Sequence, residues 1–276
     1  MLRLLEIEFI KLWNSRVSKF LIIAYFFLLT SIALIAAIKF DIGPIKFHLA
    51  KEGIFNFPYI WHFNTFVAAF FKLFLAIVIV SMMANEYSNK TIKQNLIDGL
   101  SKREFVLSKF LTVVGFSAIS TVFIFVVSLI LGLIYSDFNE ISIILSDLEF
   151  LFAFFIKLIG FFSFCLFLGM LVKRSAFALG FLILWQFIEG MIYLVLRWKF
   201  DENFASNVLT FLPLNAMSNL IKEPFTRLGA VKSVAQQIGE DISYDFGVQW
   251  YEILIVLVWT ALFVYWSYLI LKKRDL

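Results

Sequence analysis

Charge is what this chain lacks most. Of its 276 residues only 16% are Asp, Glu, Lys or Arg, and 62% are apolar; soluble domains carry roughly 25% and 45–50% respectively. Folded in water, such a chain would expose more apolar surface than water tolerates, so its solvent is lipid and a soluble enzyme is excluded. Cysteine is nearly absent: Cys165 stands alone in an apolar stretch, which rules out an intrachain disulfide and a cysteine metal site. The two histidines, His48 and His62, fall in the first loop. They read as surface residues rather than a metal pair. Four prolines and 12 glycines leave little room for flexible linkers, and there is no low-complexity tail or internal repeat. The chain has no glycine-rich loop ending in Gly-Lys-Ser/Thr, no His-Glu-x-x-His and no Gly-x-Ser-x-Gly. It therefore neither binds ATP by a phosphate-binding loop nor carries a recognisable hydrolytic centre. A net charge of +4 is too small to point to nucleic acid.

What the chain has is long apolar runs. Six reach the roughly 20 residues that a membrane-crossing helix needs: residues 20–38, 63–83, 110–135, 150–171, 176–196 and 251–271. The third and fourth are separated by an acidic stretch, 136–149, and the fourth and fifth only by Val172-Lys173-Arg174-Ser175, a tight hairpin. The first run is read as a retained helix rather than a cleaved leader, because acidic Glu6 and Glu8 precede it and no small-residue cleavage site follows. With both termini inside, the inner segments hold 14 Lys and Arg and the outer ones eight, while the loop 136–149 has four acids and no base. Basic residues stay on the cytoplasmic side of a membrane, so both termini are expected there.

Three segments outside the runs have character of their own. Residues 1–19 read as an interfacial helix with a polar stripe of Glu8, Lys11, Ser15 and Lys19 opposite Leu5, Phe9, Leu12 and Trp13. In the cytoplasmic loop 84–109, Ser88 can start a short helix that Gly99 ends, and Ser101 with Glu104 forms a capping box for the next. In the long outer segment 197–250, the stretch 208–221 is too short to span and is broken by Pro213, so it is expected to be re-entrant or interfacial. Val231, Val234, Ala235 and Ile238 then suggest a short amphipathic helix.

The loop 84–109 resembles the cytoplasmic loop of type-2 ABC transporter permeases (the type V exporter fold). The matching positions are Glu86 after the second run, Thr91 and Leu96 on the short helix, the turn Ser101-Lys102-Arg103, and Lys109 opening the third run. Gly99-Leu100 stands where that family often has Pro-Val, and the ending Lys272-Lys273-Arg274-Asp275 is similar to the family's basic terminus. Among its branches the chain is most similar to the lantibiotic-immunity and bacitracin-export one.

The resemblance implies an all-α integral membrane fold over residues 1–276, one permease domain with six spans, an N-terminal interfacial helix, a coupling helix and an outer re-entrant segment. It implies a bacterial cytoplasmic membrane, a second permease half, and two copies of an ABC ATPase that bind the ATP and magnesium. It further implies that Glu86, Thr91, Ile92, Lys93, Leu96, Ile97 and Arg103 couple the permease to that ATPase, the apolar ones entering a groove. The coupled system would export an amphiphilic or hydrophobic substrate. An ATP-independent channel or secondary transporter, and a membrane immunity protein that binds a toxin, remain open as alternatives.

Lys72, Lys157 and Glu189 lie inside the second, fourth and fifth runs. A lysine at a helix centre costs roughly 2.5–3.5 kcal/mol on insertion scales, so each should face protein or water. Lys157 and Glu189 each sit seven residues from the outer end of adjoining runs, about 10 Å deep at 1.5 Å per residue. A Lys157–Glu189 ion pair is therefore expected, or a network that adds Lys72 or Gln186.

Overall fold

A computed structural model describes residues 2–37, 39–42, 45–48, 53–227 and 246–274. Apart from a short hairpin, its regular elements are helices: α1 (Leu2–Asn14), α2 (Arg16–Ala37), α3 (Tyr59–Phe70), α4 (Lys72–Ser88), α5 (Thr91–Ile97), α6 (Lys102–Tyr135), α7 (Ile141–Ile144), α8 (Glu149–Val172), α9 (Ser175–Lys199), α10 (Glu202–Thr210), α11 (Pro213–Asn219) and α12 (Trp250–Lys273). Between α2 and α3, strands β1 (Lys39–Ile42) and β2 (Ile45–His48) pair antiparallel.

Four of these helical stretches are long and apolar enough to cross a membrane, ending at Tyr135, Val172, Lys199 and Lys273. The count reaches six if the bent pairs α1–α2 and α3–α4 are each one span. The chain is thus a helical membrane protein with four to six candidate spans. The bends differ in kind. Between α1 and α2 the axis turns by 93° at Ser15, so the two helices run nearly at right angles. The α3–α4 break is 45°, and there Phe71 N–H bonds Ala68 O and Phe74 N–H bonds Phe71 O. These i→i−3 bonds tighten the turn and deflect the axis without a proline.

Helix α6 opens at the capping box that the sequence places there. Ser101 and Glu104 form it, and the helix runs on unbroken for 34 residues. At 1.5 Å per residue that is about 51 Å, well beyond the roughly 30 Å of a hydrocarbon core, so its first turns project past the apolar layer. The hairpin between α8 and α9 is as tight as expected, with Lys173 in the left-handed region at φ 62°.

Helix α8 is the hub. It contacts α3, α4, α6, α9, α11 and α12, and 83% of its apolar window is buried, against 11% in α9. Close approach is bought with small residues, as packing between helices in lipid requires. A Cβ on Gly160 of α8 would come 2.7 Å from Val256 of α12, and one on Gly132 of α6 would come 2.2 Å from the Phe57 ring. The segment 197–250 is broken at Pro213, which occupies the first turn of α11, and α11 packs against α8, α9 and α12. The stretch containing Val231, Val234, Ala235 and Ile238 lies outside the described residues.

Candidate functional site

Three polar arrangements interrupt the apolar packing. The first joins four helices at the end of the bundle that carries α5. Lys109 of α6 is fully buried, and its Nζ lies 2.5 Å from Glu8 of α1 and 2.5 Å from Glu86 of α4. Lys11 reaches the same two carboxylates at 3.2 and 3.0 Å. The Thr91 hydroxyl, at the start of α5, donates to the Glu86 carboxylate and to the Glu86 backbone oxygen. Two acids and two bases thus balance in a site where an unpaired charge would be costly. Burial works against charge on Lys11, yet the carboxylates of Glu8 and Glu86 more than offset it and raise its pKa.

The residues that reach this cluster were visible separately but not together. Glu8 and Lys11 belong to the polar stripe of the expected interfacial helix, and Glu8 is 5% exposed and points into the protein. Lys109 is the opening lysine of the third run. Ser88 does not start the short helix: it ends α4, and the chain turns through Lys90 at φ 56° before α5 begins at Thr91. Gly99, at φ 97°, stops α5 as expected, with the Leu100 N–H on Asn95 O at 3.0 Å.

On α5 itself the faces are not as drawn from the sequence. Ile92 is buried at 2% exposure and so faces its own protein rather than a groove elsewhere; Leu96 is half-buried. Lys93, Gln94 and Ile97 point outward, with Ile97 74% exposed. Arg103 is exposed on the first turn of α6, beside a groove between α6 and α12. Arg274 closes this end: its guanidinium donates to Met170 O and Leu171 O, the last carbonyls of α8, and to the Tyr87 hydroxyl. That satisfies carbonyls the helix terminus would otherwise leave bare.

The second arrangement surrounds α11. Glu189 of α9, 2% exposed, accepts the backbone N–H groups of Leu214 and Asn215 at 2.9 Å each and the Trp185 indole N–H at 2.8 Å. Lys157 of α8 donates to Ser218 O at 3.3 Å, at the other end of the same short helix. The expected Lys157–Glu189 ion pair is therefore replaced by a different solution. The acid holds the N-terminus of α11, where free N–H groups and the positive end of the dipole lie, and the base holds its C-terminus. The backbone of α11 offers each of the two side chains a partner at one of its ends.

The third arrangement is a cavity of about 520 Å³ between α3–α4, α8, α9 and α11, with Lys72, Lys157 and Gln186 in its wall. Lys72 also lies 4.4 Å from the Phe161 ring centroid. Of the predicted intramembrane network, these three share one space, while Glu189 turns away to α11.

His62 is not a surface residue. It is fully buried, stacked on Phe150 at 4.0 Å, and bonded to Lys222 O and the Arg227 guanidinium. No group of three metal-ligating side chains occurs among the described residues.

A comparison with curated proteins finds no match. Residues 21–276 match a family model described as "Protein of unknown function (DUF2705)". That span takes in every helix from most of α2 onward, including both lysines of the cavity and the Glu86–Lys109 pair, and the chain accordingly belongs to the DUF2705 family.

Proposed function

We propose that this chain is the permease subunit of an ATP-driven exporter, working with a second permease half and two copies of a separate ABC ATPase in a bacterial cytoplasmic membrane. It has six spans with both termini cytoplasmic. The α5 end faces the cytoplasm, and α11 is the re-entrant element of the outer side. The chain is not itself an enzyme; ATP and magnesium bind its partner.

The observation that carries this reading is the rooting of α5. A short helix that presents Lys93, Gln94 and Ile97 outward is fastened at its first residue to a buried charge cluster shared by α1, α4 and α6. A basic loop resting on lipid needs no such fastening. A helix pushed by an ATPase does, because displacement of its outer face must reach the spans without being lost in loop motion. The cavity between α3–α4 and α9 supports the same role, since its walls belong to the second and fifth apolar runs, where amphiphilic cargo would be held.

The test is to co-purify the chain with an ABC ATPase sought among the genes neighbouring its own and to compare Ile97→Asp and Lys93→Glu with the parent. Both variants should insert and fold normally yet lose stimulation of ATP hydrolysis. Full stimulation in Ile97→Asp, or no ATPase that associates at all, rejects the coupling role and leaves the channel or immunity readings.

A further inference from the structure

The cavity between α3–α4, α8, α9 and α11 has a one-sided charge. Lys72 and Lys157 both line it, and none of its lining residues is acidic. Lys157 is 4% exposed. Among the described residues it bonds a backbone carbonyl, Ser218 O, and no carboxylate, and Lys72 lies over the face of Phe161. The one acid of the predicted network, Glu189, accepts from two backbone N–H groups and an indole and does not line the cavity. Charged side chains in an apolar layer face protein or water and pair with a counter-charge where one is offered. Here the protein places two lysine side chains in one apolar-walled space, and no described residue lining it offers a carboxylate.

The rest of the wall says what else the ligand carries. Phe66, Phe70, Leu73, Ile183 and Phe187 surround the lysines. The volume, about 520 Å³, is of the size that holds one small amphiphile's head and the start of its chain (roughly 300–1,000 Å³ for ligand sites). Gln186, exposed in the wall, adds a neutral amide that can donate to the same anion.

We propose that this cavity binds the anionic headgroup, phosphate or carboxylate, of a single-chain or lipid-like amphiphile. Lys72 and Lys157 meet the anion, Gln186 adds a hydrogen bond, and the phenylalanine-rich wall takes the alkyl portion. The inference deepens the transport reading by naming the cargo class, but it concerns this chain alone, so it can stand or fall without any ATPase.

The experiment uses the full chain in a non-ionic detergent, without ATPase, and measures binding of dodecyl phosphate, dodecylphosphocholine and inorganic phosphate by calorimetry. Dodecyl phosphate should bind at least roughly tenfold more tightly than the zwitterionic phosphocholine, the equivalent of about 1.4 kcal/mol. Inorganic phosphate should bind far more weakly than either, because it lacks the chain. Lys72→Gln and Lys157→Gln should each cut the affinity for dodecyl phosphate several-fold.

Because lysine replacements can alter folding, Gln186→Glu serves as the decisive variant. It places a carboxylate at an exposed wall position beside the lysines, so it should raise thermal stability while abolishing the preference for the anion. Retention of that preference in folded Gln186→Glu overturns the proposal. So does equal binding of dodecyl phosphate and dodecylphosphocholine by the parent. Tight binding of inorganic phosphate alone overturns the amphiphile assignment and makes the site one for a free anion.

Discussion

Replacing Lys109 with methionine probes the joint between the membrane helices and α5 directly. The ammonium of Lys109 is fully buried and lies 2.5 Å from each of two carboxylates. Methionine keeps most of the volume, so the change is one of charge. Lys11 remains as the single counter-ion, but its side chain is 41% exposed and lies at 3.0–3.2 Å, so it cannot neutralise both acids. Removing one member of a buried charge pair costs about 3–5 kcal/mol, because the other is left uncompensated. With Lys11 still present the lower end applies, about 3 kcal/mol.

Reversible unfolding in mixed micelles gives this number. The cause is separated by a cycle: adding Glu8→Gln to Lys109→Met removes the stranded charge and should recover about 1 kcal/mol or more, as coupled neighbours do. A cost under about 1 kcal/mol, typical of exposed pairs, or strict additivity with Glu8→Gln, refutes the reasoning. In the assembled complex, Lys109→Met should also lower ATPase stimulation in molecules that remain folded, since α5 loses its root.

Four further outcomes are expected. Gly132→Ala forces a methyl to 2.2 Å from the Phe57 ring and should cost roughly 1–3 kcal/mol by overpacking. Gly180→Ala meets nothing within 4 Å, so thermal melts should show it neutral or stabilised by up to about 1 kcal/mol through helix propensity; the reverse order would contradict the α6 packing. Glu189→Gln keeps the shape but loses charge-assisted bonds to Leu214 and Asn215, and should destabilise the fold by about 1–3 kcal/mol. Adding Lys157→Met to it should bring no rescue, and rescue would restore the direct ion pair. Cysteines introduced at Ser142 and Lys90 should react with an impermeant maleimide from opposite sides of the membrane, with buried Cys165 silent. Labelling from one side would overturn the six-span topology.

The sequence by itself determined the solvent, the class and most of the helices. Apolar composition dictates lipid, and runs of about 20 apolar residues dictate helices because a backbone in lipid must satisfy its own hydrogen bonds. Local chemistry also placed particular boundaries: the Ser101–Glu104 box opening α6, Gly99 closing α5, the break at Pro213 where α11 opens and the tight turn at Lys173-Arg174 between α8 and α9. All of these depend on neighbours within a few positions.

Only the tertiary structure decided how charges meet. Glu8 and Lys109 are 101 residues apart, and Glu189 and Leu214 are 25 apart; nothing in their local patterns distinguishes a buried partner from a headgroup. The depth argument pairs Lys157 with Glu189, but it could not see that α11 would offer them free N–H groups at one end and free carbonyls at the other. Nor could helical periodicity tell which side of α5 faces its own protein, since Ile92, Leu96 and Ile97 are equally apolar. Packing against the bundle buries the first and leaves the last bare. Partner choice among charges is settled by distance in space, and in a chain with so few charges each choice turns on the course of a single helix.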